Sequence, residues 1–567
     1  SSASPKASTA PLRGSHAPSG CGPASLLMSS SSLGSEGTVL ITMASLKSSP
    51  AWKALEAHRK KTTGLHMRDL FADDKDRLKA MSVGLGGLFL DYSKNRVSAE
   101  TYALLIDLAR EADVEGWRGR MAAGEEINTT EGRPALHMAL RDPGGTGGNE
   151  EIISARKAME RICRDVRDGK VTGATGKPFQ AVVHIGTGGS HLGPAMVVRA
   201  LEAYRDGPDI HFVSNVDGAQ IALVLDELQP ETTLFIAASK SFTTEETLTN
   251  ARTAYAWLTE SLGDGTAPAH FIAVTANAGA AGDFGIGENF ILPLAEGVAG
   301  RFSVWSGVGL AASLAIGWEN FEAMLSGAHD MDRHFLDTPL DANMPVILGL
   351  IGIWNIDFLG AEALAVLPYD QGLGLLPNYL RQLEMESNGK SIGRDGTVLE
   401  AGGAPIVFGE PGTGGQHAFY QAIHQGRRLI ASDFIVPLRT HHPTGDHHQR
   451  LLANAFAQSE ALMKGRPGDK QPPHRAFEGN RPSNTILMDR VDPFTLGQLI
   501  ALYEHKVFVQ AVIWGINPFD QWGVELSKEL AAAILPEVQG ETASRDHDSS
   551  TRGLIARARK AKEGKQP

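Results

Sequence analysis

Cysteine is nearly absent: the 567-residue chain holds two, Cys21 and Cys163, which excludes a disulfide framework and favours a reducing compartment. Excess positive charge is absent too. With 53 basic against 65 acidic residues and a net charge of −12, the chain is no general polyanion binder. A phosphorylated ligand would have to be drawn by local dipoles and a few cations rather than by the field of the whole molecule. No apolar run reaches the roughly 18 residues of a membrane span. The longest nearly uncharged stretch, 302–318, is broken by Ser and Gly and reads as a core helix. Residues 1–42 are rich in Ser, Gly, Ala and Pro without a compact apolar h-region, so they are read as a tag, leader read-through or disordered extension outside the fold.

What is present is globular: 42% hydrophobic residues, 63 glycines, and enough length for two or three domains. From Trp52 to about Arg141 the periodicity predicts helices, and DPGGTGG (142–148) then reads as a hinge. Beyond it, short β-rich runs at 181–186, 210–216, 233–239, 270–276 and 289–295 alternate with helical stretches. That alternation predicts a doubly wound parallel sheet covered on both faces. Further strands are expected at 404–410 and 428–437, where the strand order is not legible. The end of the chain, 541–567, is polar and then basic, a solvated tail or surface helix rather than a nucleic-acid binder.

In an open parallel sheet ligands gather at the carboxyl ends of strands. One such end runs into SKSFTTEETLTN (239–250), crowding Ser239, Lys240, Ser241, Thr243, Thr244 and Thr247 into one strand-to-helix turn. Thr243 and Glu246 have capping-box spacing. Hydroxyls and a lysine around a helix amino terminus suit a phosphate monoester. A second turn, GTGGSHLGP (186–194), lets the backbone approach a ligand, with its helix expected near Pro194. It is no dinucleotide fingerprint, because His191 stands where the last Gly is needed. EPGTGGQH (410–417) is no Walker loop, since Gln416 and His417 replace Lys and Ser/Thr. HHPTGDHH (441–448) matches no standard zinc spacing.

In QLEMESNGK (382–390), Gln382 and Glu386 share a helix face, while Leu376, Leu380 and Leu383 form a separate apolar stripe. The Ser387-Asn388-Gly389 break puts Glu386 at the helix end, as a cleft carboxylate or a solvated last turn. GRFSVWS (300–306) places Arg301 after a Gly, and FDQWGVELSK (519–528) sets Gln521 and Lys528 two helical turns apart.

Taken in order, IGTGGSHLGP, SKSFTTEETLTNA, VAGRFSVWSGVGL, LEMESNGK, EPGTGGQHAFYQAIHQG, the run from YEHKVF to LSKELA, and INTTEGRPALHMALR (127–141) resemble the glucose-6-phosphate isomerase family over roughly residues 50–535. The resemblance implies two doubly wound α/β/α sandwich domains of the sugar-isomerase type with helical extensions. Their expected limits are 151–315 for the small domain and 316–540 for the large one, with 43–150 packing on the latter. It implies a cytoplasmic aldose-ketose isomerase acting through a cis-enediol, and no metal or organic cofactor. Sugar phosphate would be held by Ser239, Lys240, Ser241, Thr244 and Thr247, with Gly189 and Ser190 lining the same pocket. Glu386 would be the base moving a proton between C1 and C2, and Arg301 the fixed cation beside the enediolate. His417 and Lys528 would serve ring opening, Gln382 and Gln521 would position substrate, and Glu246 would orient His417.

The family is dimeric, so His417 is expected to act across a homodimer interface. No nucleic-acid or membrane partner is implied. Three positions depart from the family pattern: His191 for Asp, Ser241 for Thr, and Gly414 for Asn. Of these, His191 is expected to change charge beside the phosphate loop, and Gly414 to loosen the loop before His417. A non-catalytic sugar-phosphate sensor, or an added extracellular signalling role, are the competing readings.

Overall fold

Apolar runs of five or six residues, too short for helices and rich in Val, Ile and Phe, become the strands of a first sheet in the computed structural model. The structure describes residues 46–143, 149–466, 472–541, 546–562 and 564; the leader reading of 1–42 and most of the 142–148 hinge lie outside them. The strands are β3 (Ala181–Ile185), β4 (Asp209–Val213), β5 (Thr233–Ala238), β6 (Phe271–Thr275) and β7 (Ile291–Pro293). All are parallel, in the order β4-β3-β5-β6-β7. Their side chains alternate between two buried faces. Val183, Ile185, Phe235, Ala237, Phe271 and Ala273 join one core, while Val182, Ile236, Ile272 and Val274 join the other. The strand order reverses direction between β3 and β5, so the turns leaving those two strands emerge side by side at a topological switch point.

A second sheet runs β1-β2-β11-β10-β8-β9. Its parallel part comprises β8 (Ala361–Pro368), β9 (Ile406–Phe408), β10 (Leu429–Pro437) and β11 (Ser483–Met488). Against β11 lies the antiparallel hairpin β1 (Ser82–Leu85) and β2 (Leu88–Asp91). The helical reading of 52–141 therefore fails at 82–91. There Leu85 pairs with Leu88 across Gly86 and Gly87, and Gly86 takes φ +54°, the left-handed geometry of a two-residue hairpin turn.

The centre of the core is the helix Pro493–Trp514, in which nearly every residue is buried. Its charged residues survive burial by pairing. Arg141 bridges Asp332 and Glu504, His505 Nε2 lies 2.6 Å from Asp332, and Lys506 Nζ donates to Glu384 at 2.7 Å. This last pair, with Asn388 Nδ2 donating to the Val507 carbonyl at 3.0 Å, fixes the helix Leu376–Asn388 from behind. The 302–318 stretch is buried as expected but is not one helix. Two 3-10 turns precede a short helix, Leu310–Ile316, which ends where Gly317 takes φ +83°. At the chain's end the helix Ser549–Lys562 has Ile555 buried, and His547 Nε2 sits 3.0 Å from Glu537 Oε1 on Glu525–Gln539. Among the described residues no helix is long and apolar enough to cross a membrane.

Candidate active site

The switch point between β3 and β5 holds both turns singled out in the sequence. After β3 the helix begins at Gly189, five residues before Pro194, which lies inside it. Pro194 has no N–H for the Ser190 carbonyl. His184 Nε2, one strand below, supplies the missing donor at 2.6 Å, so that imidazole is buried, neutral, and pushed down to about 4 by desolvation. Gly188 takes φ +53°, and a methyl group on Gly189 would lie 2.0 Å from the Gly300 carbonyl carbon and 2.5 Å from the Arg301 nitrogen. Glycine is thus required for this turn to rest on the arginine segment.

After β5, Phe242 sits at φ +52° and the helix starts at Glu245. The expected Thr243–Glu246 capping box does not form. The helix begins one residue later with Thr244 at its cap, and the Thr244 hydroxyl pairs with the Ser239 hydroxyl at 2.9 Å instead of capping. Ser241 and Thr243 hydroxyls pair at 2.6 Å. The first-turn N–H groups therefore carry no side-chain cap, which leaves them available to an anion. Lys240 Nζ donates to the Glu296 and Val298 carbonyls at 2.7 and 3.3 Å, tying this turn to the segment before Arg301. Thr247 is buried, and its hydroxyl has no hydrogen-bond partner among the described residues.

The stripe Leu376, Leu380 and Leu383 is buried as expected, turning Gln382 and Glu386 to the opposite side of Leu376–Asn388. Glu386 keeps 33% exposure, while Arg301 beside it keeps 1%. Gln382 Nε2 donates to Glu386 Oε2 at 3.2 Å and also faces the Gly188 turn, where an added methyl would stand 3.1 Å away.

All five donors of Arg301 are engaged. Nε donates to Ser387 Oγ at 2.7 Å, Nη1 to Gln521 Oε1 at 2.9 Å and to Glu386 Oε2 at 3.5 Å, and Nη2 to the Pro518 and Asp520 carbonyls. Burial pushes this guanidinium down to about 10, with Glu386 and Asp520 opposing, so it stays cationic at neutral pH. The contact to Glu386 is the longest of the five, and thus the one a competing oxyanion would replace first.

Gln382, Glu386, Arg301, Gln521 and the two switch-point turns therefore converge. Neither His417 nor Lys528 forms a hydrogen bond or ion pair with this cluster among the described residues. His417 is exposed at the end of the short helix Gly412–Gln416, and no recorded bond joins it to Glu246. Lys528 is 65% exposed and donates to Glu525 at 2.9 Å. Nor do Gln521 and Lys528 share a helix, because Gln521 precedes a 3-10 turn and Glu525 opens the helix that carries Lys528.

His191 brings no charge to the loop: burial lowers it below its ordinary range, and its ring packs edge-on against Phe212 with centroids 5.6 Å apart. At Gly414 an added methyl group would meet nothing within 4 Å.

The sequence reading missed Asn128, Glu131 and Arg133, which line a cavity of 150 Å³ together with Lys240, Gly300 and Gln521. A larger cleft of 620 Å³ lies at the carboxyl ends of β8 and β10, beside 441–448. There His441 and His448 are held on the Val491 and Leu438 carbonyls, Arg450 pairs with Asp446, and Arg199, Glu202 and Asp370 add to the lining. It gathers no base or cation of the kind at Glu386 and Arg301. No cluster among the described residues is suited to a metal ion.

Comparison with known proteins gives the family. The phosphoglucose isomerase family profile matches residues 91–555. Glucose-6-phosphate isomerase 2 of Chromobacterium violaceum is 49% identical over 534 residues, covering 90% of this chain and 97% of that protein. Glucose-6-phosphate isomerase of Dechloromonas aromatica is 50% identical over 519 residues, covering 89% and 98%. The crystal structure of a glucose-6-phosphate isomerase from Chlamydia trachomatis superposes with a TM-score of 0.81 at 30% identity, covering 90% of this chain and 99% of that one. The chain belongs to the phosphoglucose isomerase family.

Proposed function

We propose that this chain interconverts D-glucose 6-phosphate and D-fructose 6-phosphate, an aldose-ketose isomerisation serving glycolysis and gluconeogenesis in the cytoplasm. The observation that carries the reading is the half-exposed carboxylate of Glu386 set against a buried cation, Arg301, beside two anion-ready turns. A sensor of sugar phosphates needs the turns but not the carboxylate-cation pair.

The phosphate docks on the uncapped helix start and the hydroxyls of Ser239, Ser241 and Thr244, with Lys240, Gly189 and Ser190 around it. The Thr247 hydroxyl, costly to leave unpaired when buried, gains an acceptor as phosphate arrives. Ring opening moves the anomeric hydroxyl proton off and delivers a proton to the ring oxygen, the work of Lys528 and of His417 from a second copy in a homodimer. The Glu386 carboxylate then takes the proton on C2 of the aldose. The electron pair forms the C1–C2 double bond and O1 becomes an oxyanion met by Arg301 Nη1; a proton then passes from O2 to O1, and as the O2 electron pair forms the C2 carbonyl the proton held by Glu386 is delivered to C1. Aldose and ketose have the same composition and overall oxidation state, so no external electron acceptor enters. Gln382 and Gln521 hold the two ends of this pair. We read the two sheets as the small and large sugar-isomerase domains, with the β1-β2 hairpin extending the large one.

A coupled assay with fructose 6-phosphate tests the reading; no turnover between pH 6 and 9 would refute it. Thr244→Ala should raise KM and the inhibition constant of inorganic phosphate about tenfold while changing kcat little, since the hydroxyl binds a group remote from the reacting carbons. An unchanged inhibition constant would mean that the turn is structural only. Gly189→Ala should lower kcat/KM by about 10²-fold, because its methyl displaces the Gly300–Arg301 backbone and misplaces the cation. Wild-type kinetics in that variant would show that the turn yields elsewhere.

A further inference from the structure

Gln521 reaches Arg301 from a strap, residues 517–521, that has neither helix nor strand to hold it. Two cations, the buried Arg301 and the half-buried Lys390, hold it instead. Arg301 Nη2 takes the Pro518 and Asp520 carbonyls. From the other side Lys390 Nζ donates to the Asn517 carbonyl, to the Asp520 carbonyl at 3.0 Å and to the Ser387 carbonyl at 2.8 Å. Its three hydrogens thus tie the strap to the last turn of the helix that carries Glu386.

The Asp520 carboxylate stands 2.8 Å from the ammonium, in a site where the two side chains keep 5% and 17% exposure. Asp520 also accepts from Thr130 Oγ1 and, at 3.0 Å, from Asn517 Nδ2, which anchors the strap to the 127–133 run. An apolar side chain at 390 would take a donor from the Ser387 and Asn517 carbonyls, leave the Asp520 carbonyl to Arg301 alone, and leave a buried carboxylate without its counter-ion.

We propose that Lys390, tethered by Asp520, is a positioning residue that sets the strap against the Glu386 helix and so keeps Gln521 and Arg301 aligned with Glu386. This assignment rests on the isomerase reading above. The ammonium is vulnerable to alkali: burial lowers Lys390 to about 8, Asp520 and Glu386 oppose that shift, and Arg301 adds to it. Raising the pH through about 8 removes the proton, and with it one of the three tethers.

The test measures kcat, KM for fructose 6-phosphate, inhibition by inorganic phosphate and melting temperature for wild type, Lys390→Met and Asp520→Asn from pH 6 to 10. Wild-type kcat should fall on an alkaline limb near pH 8. Lys390→Met should lose about 10²-fold in kcat, keep its phosphate inhibition constant within about threefold, and lose the limb. Asp520→Asn, which removes a charge that favours the ammonium, should move the limb to lower pH by about one unit. A Lys390→Met enzyme with wild-type kcat overturns the assignment. So does one that loses rate and phosphate affinity together while keeping the limb in place, the mark of a merely structural role. Should Lys390→Met not fold, an unmoved limb in Asp520→Asn overturns it alone. Absence of wild-type turnover would instead bring down the isomerase reading itself.

Discussion

Glu386→Gln is expected to lower kcat about 10²- to 10⁴-fold, the usual contribution of a general base, while leaving phosphate inhibition within about threefold. Glutamine keeps the shape, and its amide oxygen still accepts from Gln382 Nε2 and faces Arg301 Nη1, the two contacts that hold the carboxylate. Only the capacity to take a proton from carbon is removed. Stability should not suffer. Glu386 lies in the last turn of its helix, where the carbonyl ends disfavour negative charge, so loss of that charge offsets the weakened pairing with Arg301. The melting temperature checks this, and exchange of the C2 hydrogen of glucose 6-phosphate with deuterated solvent should fall in parallel with turnover. A variant that isomerises at nearly the wild-type rate, or that stops turnover while still exchanging the C2 hydrogen, would show that another group moves the proton.

The first sheet was legible because each strand is a continuous apolar run flanked by turn residues, a pattern that burial on both faces demands. β8 (AEALAVLP) and β11 (SNTILM) escaped because alanine and polar residues blur the period. The β1-β2 hairpin escaped because it interrupts a helical region with two short strands. Two local errors have a common cause in bonds made from the strand end that precedes each helix. Pro194 looked like a helix start, but His184 on β3 satisfies the carbonyl that the proline cannot. Thr243 and Glu246 looked like a capping pair, but the Ser239–Thr244 hydroxyl bond shifts the start by one residue. At the site, Glu386, Arg301, Gln382 and Gln521 were assigned to one pocket only through the family resemblance, since their motifs alone did not bring them together. Lys390 drew no reading of its own, since nothing local reveals that Asp520 and three carbonyls surround it.

The exposed position of His417 leads to the other large effect. His417 is exposed and forms no recorded bond to the groups around Glu386 in its own chain, which is what a residue serving a second copy's site would show. His417→Ala should by itself lower kcat by about 10²-fold, the scale of a lost acid-base partner in ring opening. The decisive measurement mixes it with Glu386→Gln, by co-expression or by refolding the two chains together. In a dimer built from one chain of each kind, one site draws Glu386 from the histidine variant and His417 from the glutamate variant, and is intact. The other site carries both lesions. Random pairing makes half the dimers mixed, so about a quarter of all sites, and about a quarter of wild-type activity, should return from two nearly inactive parents. If His417 worked within its own chain, every site in a mixed dimer would carry one lesion and no activity would be regained. The outcome separates the two arrangements by more than tenfold in rate. It also reports on Glu386, because a mixed dimer regains activity only if each chain lacks what the other supplies.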